Sequence, residues 1–370
     1  MSISHSGTSL AQSFINFRFT FFNLIRSEQH FLLLIAVLFF IAGFSYPYPG
    51  IAMWVGFMLA GYSAIANDSI QTVGTFISSN QNKAWWILWL FIGLIFVATT
   101  SYSWAVFDGD VSFQRLTAKG FETAPQSFTF LQLAAPIFLL ILTRMRMPVS
   151  TTFLLLSCFS ADVAGIEKML LKSVSGYGVA FVGAYLVWLI LSQSGLIKFK
   201  GKAHPGWSVA QWISSGSLWA VWIMQDAANI AVYLPRSLSL EALIFMNSFI
   251  FLGLGLLFYL RGGRIQEVVT QKTDVLDVRP ATIIDLVYAL VLLFFVWVSV
   301  IPMSTTWVFI GLLAGRELGM RTFLKKEDKT MSATFRLIGK DLLFALIGLA
   351  VSITLAAATN PAIFAEIFNR

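Results

Sequence analysis

Charge, cysteine and histidine are what this 370-residue sequence has little of. Only 12% of its residues are charged while 57% are hydrophobic, and the mean hydropathy is +0.78. So few charges cannot cover a water-soluble body of this length, so the chain reads as a polytopic membrane protein. The single cysteine, Cys158, lies in an apolar run, which excludes an internal disulfide and indicates an ordinary buried thiol. The three histidines, His5, His30 and His204, fall outside the apolar runs, so neither a histidine proton relay nor a His-metal cluster can be built in the membrane. Nucleophile motifs and glycine-rich phosphate loops are missing as well. No enzyme and no organic cofactor are expected.

What is present is a succession of apolar runs with polar interruptions. The formal charge of +7 belongs to the loops between them and speaks for topology, not for a nucleic-acid partner. Residues 1 to 29 read as an amphipathic cytoplasmic leader lying on the bilayer surface; no short basic region or small-residue cleavage site marks a signal peptide. A first span at about 31 to 47 closes at Pro47-Tyr48-Pro49-Gly50. The run from 51 to 79 is interrupted by Ala66-Asn67-Asp68-Ser69-Ile70-Gln71-Thr72, and a break of the helix is expected there. A span to about 104 and a polar loop over 105 to 128 follow. Two apolar arms, about 128 to 142 and 151 to 165, then meet at Thr143 to Ser150 as a re-entrant hairpin, whose base, with Asp162, Glu167, Lys168 and Lys172, reads as solvated. A span at about 177 to 195 leads to Lys198, Lys200 and Lys202.

The rest of the chain repeats this plan. An apolar run from about 208 breaks at Gln225-Asp226-Ala227-Ala228-Asn229 and resumes to Pro235; a span at 241 to 260 and a basic loop come next. Arms at about 282 to 300 and 305 to 315 meet at Ile301-Pro302-Met303-Ser304-Thr305-Thr306, and a basic loop from Arg316 to Lys340 precedes a last span at 342 to 358. Asp68 and Asp226 are 158 residues apart, Pro148 and Pro302 154 apart, so two interruptions recur in one order at nearly one offset. Three crossings separate equivalent points, and an odd number inverts the copies. The expectation is an all-α membrane fold of two inverted-topology repeats with discontinuous helices and re-entrant hairpins. The first span and repeat 1 occupy 30 to 204 and repeat 2 occupies 205 to 370, in one transmembrane domain. Basic loop residues favour one side by about three to one. That places the N-terminus in the cytoplasm and the C-terminus outside, in the plasma membrane, or inner membrane of a bacterium.

One Asp near mid-helix costs roughly 2.5 to 3.5 kcal/mol on insertion scales, so Asp68 and Asp226 are functional candidates. Discontinuous helices offer N-terminal N–H groups to anions and C-terminal carbonyls to cations. Ser150-Thr151-Thr152 and Ser304-Thr305-Thr306 follow prolines and open apolar arms, which suits N-caps with hydroxyls to spare for an anion, Ser69 joining them. Arg144, at the hairpin joint, could contact an anion or neutralise an acid. Carboxylates beside anion-friendly poles call for a cation, and Na⁺ takes oxygen ligands of the kinds that Asn67, Asp68, Gln71, Thr72, Gln225, Asp226 and Asn229 supply. A proton carried by an Asp is the competing account.

The paired Asn67-Asp68 and Gln225-Asp226 stretches, together with Pro148-Val149-Ser150-Thr151-Thr152 and Pro302-Met303-Ser304-Thr305-Thr306, resemble the duplicated signatures of the inorganic phosphate transporter (PiT) family over about residues 51 to 320. The resemblance implies inverted repeats with hairpins and cation-coupled uptake of phosphate, or of sulfate as in some members. Gln71 and Gln225 stand where the family has Asn, and Phe153 and Trp307 where it commonly has His. The expected partners are thus a small inorganic oxyanion, Na⁺ or H⁺, and the lipid bilayer, with a homo-oligomer compatible. Bicarbonate or another oxyanion, and a non-transporting sensor or scaffold of the same fold, are the alternatives.

Overall fold

The computed structural model describes residues 28–118, 120–145, 147, 149–194, 201–261, 277–323 and 331–368, with the backbone alone at 69, 70, 323 and 368. Among these residues every regular element is helical: α1 (Glu28–Ser45), α2 (Pro49–Ser79), α3 (Trp85–Val106), α4 (Phe130–Arg144), α5 (Val163–Gln193), α6 (Gly206–Ala231), α7 (Leu240–Tyr259), α8 (Val278–Val298), α9 (Thr305–Phe323), α10 (Met331–Thr359) and a short α11 (Pro361–Phe368). A π-helical turn, Thr152–Leu156, and a 3₁₀ turn, Ser157–Phe159, lie between α4 and α5. Seven of the described helices, α1, α2, α3, α5, α7, α8 and α10, are long and apolar enough to cross a bilayer, so the chain is an integral membrane protein. α6 is different because protein encloses its second half, from about 218 to 231, while Val209 and Ile213 in its first half are exposed. Gln211, Ser214, Ser215, Gln225, Asp226 and Asn229 occupy buried positions along it, a composition that lipid would not tolerate.

The helix breaks lie elsewhere than the sequence predicts. α2 runs unbroken through Asn67 and Asp68, and α6 through Gln225 to Asn229. Neither stretch contains proline or glycine, and a polar side chain does not unwind a helix when neighbouring elements satisfy it. The discontinuities fall instead at 145–150 and 299–304, the two joints that carry Pro148 and Pro302 in the sequence. Other boundaries shift too. Residues 163 to 176 form the first half of α5 rather than a hairpin base, and the second arm of the first hairpin is only the π and 3₁₀ turns. In the second hairpin α9 continues to Phe323 and α10 begins at Met331, so Arg316, Arg321, Arg336 and Lys340 are helical instead of lying in a long loop. Arg and Lys are good helix formers whose apolar stems lie along such a surface. Residues 1 to 27 of the leader, Lys119, Arg146, Pro148, Lys198, Lys200 and the basic stretch from 262 to 276 lie outside the described residues, and residues 28 and 29 open α1.

The direction of each helix follows from its cross-links. α2 and α4 run parallel, joined by Ser63 Oγ donating to the Pro136 carbonyl (2.8 Å) and Thr143 Oγ1 to Asn67 Oδ1 (3.0 Å). α6 and α8 do the same through Ser215 Oγ to Asp285 (2.5 Å) and Gln225 Nε2 to the Leu292 carbonyl (3.5 Å). Between the two series the sense reverses. α2 meets α6 with Asn80 donating to Gln211 (3.0 Å) at one end and Gly56 against the Tyr233 ring at the other. α3 meets α7 with Trp104 Nε1 donating to the Leu238 carbonyl and Trp89 Nε1 to that of Phe251, both at 2.8 Å. Helices at the same place in the two series are therefore antiparallel. Pro136 inside α4 cannot donate to the Gln132 carbonyl four residues back, and the hydroxyl of Tyr233 donates to that carbonyl instead, at 2.7 Å.

α5 and α9 form the closest helix pair, running parallel. Gly311, Gly315 and Gly319 recur every fourth residue and face the backbone carbonyls of Tyr177, Phe181 and Tyr185, so that a Cβ on any of the three would collide with main chain. Small residues at this spacing let two helices approach to backbone contact, where dispersion replaces the hydrophobic drive that lipid does not supply. Gly315→Ala should cost about 1 to 3 kcal/mol by overpacking, read as a lowered melting temperature in detergent. Gly183→Ala on α5, where a Cβ meets nothing within 4 Å, should stay within about 0.5 kcal/mol of the parent. Equal effects of the two substitutions would contradict the backbone contact.

Candidate functional site

The two proline-bearing joints meet inside the protein, and each is organised by a serine cap. Ser150 Oγ accepts from the Phe153 backbone N–H at 3.1 Å, and Ser304 Oγ accepts from that of Trp307 at 3.2 Å. In both, the serine hydroxyl satisfies the N–H three residues on, one of the donors that a helix start leaves open. The capped residues also touch: the Phe153 and Trp307 rings are 5.8 Å apart between centroids. Thr306 Oγ1 donates to the Val149 carbonyl (3.3 Å) and Thr152 Oγ1 lies 3.1 Å from the Met303 carbonyl, so each joint bonds the backbone of the other.

Two buried carboxylates from α2 and α6 are tied to these joints. Asp226 Oδ1 accepts from Thr152 Oγ1 (3.2 Å) and Asn229 Nδ2 (3.0 Å), and its Oδ2 accepts from Thr305 Oγ1. Asp68 Oδ1 accepts from Asn67 Nδ2 (2.7 Å), and the same amide reaches Thr151 Oγ1 and the Val149 carbonyl, each at 3.2 Å. Adjacent threonines thus face the two carboxylate helices, Thr151 toward Asn67 and Thr152 toward Asp226. Trp222 Nε1 donates to Thr305 Oγ1 (3.2 Å) and Tyr288 OH to the Thr305 carbonyl (2.9 Å), which fixes that residue from two sides.

Among the described residues, three buried oxygens of this region have no hydrogen-bond donor: Asp68 Oδ2, Gln225 Oε1 and Asn229 Oδ1. A buried acceptor without a donor is costly by about 1 to 3 kcal/mol, more for a charged one, and native structures keep few of them. All three belong to the set that the sequence marks for a cation. Thr72 Oγ1 donates to the Asp68 carbonyl (3.2 Å) within its own helix, and Gln71 is half-buried outside this network. The side chain of Ser69 lies outside the described ones. The hydroxyls of Thr152 and Thr305, expected to be spare, are engaged by Asp226.

Some residues take places that the sequence does not signal. Arg115, read as part of a polar loop, is buried, and its guanidinium donates to the carbonyls of Met224 (3.1 Å), Ser299 and Val296 (3.4 Å). Burial lowers its pKa to about 10, so it stays charged at neutral pH. Lys172, expected at a solvated base, is buried too and donates to the carbonyls of Ser299 (2.9 Å) and Ile301 (2.6 Å). Both cations cap the C-terminal end of α8, where carbonyls lack helical partners. Asp285 is a third buried carboxylate, accepting from Thr75 Oγ1 (2.7 Å) and Ser215 Oγ (2.5 Å). An isolated Asp in an apolar run was its only signal. Arg144 pairs with Glu28 of α1 at 2.5 Å and lies over the Phe31 ring, so the anion contact considered for it is replaced by an ion pair.

No family model matches the sequence, and no curated protein does. The structure matches one described as "The sodium-dependent phosphate transporter", with a TM-score of 0.59, 16% sequence identity, and coverage of 90% of this chain and 99% of that one. The chain shares that transporter's fold. The likeness extends through nearly the whole of both proteins. Sequence has diverged far beneath it, as the unmatched family models reflect.

The equivalence of the two caps is directly measurable. Ser150→Ala and Ser304→Ala should each cost about 1 kcal/mol, the usual effect of losing an N-cap, seen as similar drops in thermal stability in detergent. A silent substitution at either serine would contradict its role.

Proposed function

We propose that this protein is a secondary transporter that couples the movement of a small inorganic oxyanion, phosphate first, to Na⁺. The observation that carries the reading is the set of buried donor-less oxygens, Asp68 Oδ2, Gln225 Oε1 and Asn229 Oδ1, beside the second buried carboxylate, Asp226. Buried oxygens without an N–H or O–H partner among the described residues suit a hard cation, and a monovalent ion with oxygen ligands matches carboxylate, amide and hydroxyl donors. The oxyanion falls to the two capped joints, where helix starts and the hydroxyls of the Ser-Thr-Thr runs converge. The antiparallel course of equivalent helices supports two inverted repeats around a central site, the arrangement that serves alternating access.

Coupling follows from the count of protons on the threonines. Each hydroxyl has one proton to give. Thr305 directs it at the Asp226 carboxylate, and Thr152 has Asp226 Oδ1 and the Met303 carbonyl as its two acceptors, so neither hydroxyl is free for an anion while those bonds stand. A cation that takes over the carboxylate oxygens releases both hydroxyls to turn toward an oxyanion, and its charge offsets the repulsion between Asp226 and the incoming anion. Cation therefore binds first. Phosphate leads because the fold is that of a sodium-dependent phosphate transporter; sulfate and bicarbonate present similar acceptors to the same donors. A proton on Asp226 would release the hydroxyls equally well, which makes H⁺ the competing coupling ion.

Proteoliposome uptake against a panel of oxyanions, with and without a Na⁺ gradient, decides substrate and ion together. Saturable, concentrative, Na⁺-dependent phosphate uptake is expected; uptake driven by a pH gradient in Na⁺-free buffer would transfer the role to H⁺, and anion binding without uptake would indicate a sensor. Asp68→Asn and Asp226→Asn should each abolish coupled uptake while the protein still inserts. Retained Na⁺-dependent uptake in both would remove the carboxylates from the site. Fusion reporters at the two ends should find the N-terminus cytoplasmic and the C-terminus outside, and a cytoplasmic C-terminus would overturn that orientation.

A further inference from the structure

A cleft opens on the face that carries the 107–128 segment and the first turns of α5, and Thr117, Ala118, Gly165, Lys168, Val300 and Ile301 line it. Its floor is the α8–α9 joint. Val300 and Ile301 belong to that joint, and the carbonyls of Ser299 and Ile301 are the ones that Lys172 holds. Lys168 and Lys172 are four residues apart on one face of α5, the first exposed in the cleft wall and the second buried one turn deeper. Arg115, two residues from the cleft-lining Thr117, shares the Ser299 carbonyl with Lys172 and reaches on to the Met224 carbonyl, two residues before Asp226. Ser173 Oγ accepts from the Ser304 backbone N–H at 2.8 Å, so the capped joint sits ten residues along α5 from its start, a depth of about 15 Å at 1.5 Å per residue.

We infer that Lys168, Lys172 and Arg115 form a graded cationic approach that draws an oxyanion from this cleft to the α8–α9 joint, with a preliminary anion site at Lys168. The two inner basic groups have main-chain carbonyls as their hydrogen-bond partners, and Arg115 in addition lies within electrostatic reach of Asp226. Acids near the rim are engaged locally: Asp110 accepts from Ser112 and Gln114, Glu122 from Gly120, and Asp162 caps α5 through Gly165, while Glu167 stands exposed beside Lys168. Lys168 is the one charged residue among those that line the cleft, and a positive charge against low-dielectric walls attracts anions to its mouth. The identity of the transported ion rests on the function proposed above, but the selectivity of the cleft for negative charge does not.

Two experiments separate these. In the full-length protein with Thr117→Cys, which places a thiol in the cleft while Cys158 stays buried, an anionic methanethiosulfonate should react about tenfold faster than a cationic one. Adding Lys168→Gln should reduce that preference, and Lys168→Arg should retain it. Equal rates for the two reagents, or faster reaction of the cationic one, would overturn the cationic approach whatever the protein transports. In proteoliposomes Lys168→Glu should raise the KM for phosphate about tenfold and leave kcat and the Na⁺ dependence unchanged, with the dependence of KM on ionic strength flattened. An unchanged KM in that variant, with active parent protein, would refute the preliminary site. An inactive parent that still shows the anionic reagent preference would refute the transport reading alone.

Discussion

A threonine hydroxyl has a single proton, and in this protein the hydroxyls of Thr152 and Thr305 both reach one buried carboxylate, Thr152 with the Met303 carbonyl as a second acceptor. The rest of the interior is arranged around that constraint. A buried carboxylate such as Asp226 needs donors to remain charged, and two of its donors come from the capped joints. On the proposed reading, an anion therefore competes with Asp226 for a shared pair of hydroxyls, and a cation on the carboxylate relieves that competition. The helices enforce this sharing by converging on the same point: α6 carries the carboxylate, the first joint supplies Thr152 and the second supplies Thr305. Trp222 and Tyr288 hold Thr305 in place, so its hydroxyl has few directions to choose between.

The framework around this point combines rigid seams with interruptions. The glycine row of α9 lets that helix lie against α5 at backbone distance, and the cations at the end of α8 fix where the chain leaves the helix. Tyr233 closes the gap that Pro136 opens in α4. These devices satisfy backbone groups at membrane depth, which is the condition under which lipid tolerates a non-helical joint.

Much of this was legible from residue order. Prolines followed by Ser-Thr-Thr marked the joints, and an acid in each of two apolar runs marked the carboxylate helices. The sequence misled on the helices themselves, because Asn67, Asp68, Gln225 and Asn229 look like helix breakers until neighbours are available to bond them. The buried roles of Arg115 and Lys172 were hidden for the opposite reason. A basic residue beside a loop reads as solvated, and only the fold shows that the ends of another helix lie beneath it. The glycine spacing of α9 was visible but had no partner until α5 was set alongside, and the all-helical architecture was plain throughout.

The central claim is that cation and oxyanion are linked through Asp226 and its two threonines, and thermodynamic reciprocity tests it most directly. Trp222, hydrogen-bonded to Thr305 and stacked on Trp219, is placed to report binding by intrinsic fluorescence. Na⁺ affinity of the purified protein would be measured with and without saturating phosphate, and phosphate affinity with and without saturating Na⁺. The account predicts that each ligand tightens the other by the same factor, and that Thr152→Val combined with Thr305→Val removes the linkage while Na⁺ still binds. Na⁺ binding indifferent to phosphate in the parent protein would contradict it.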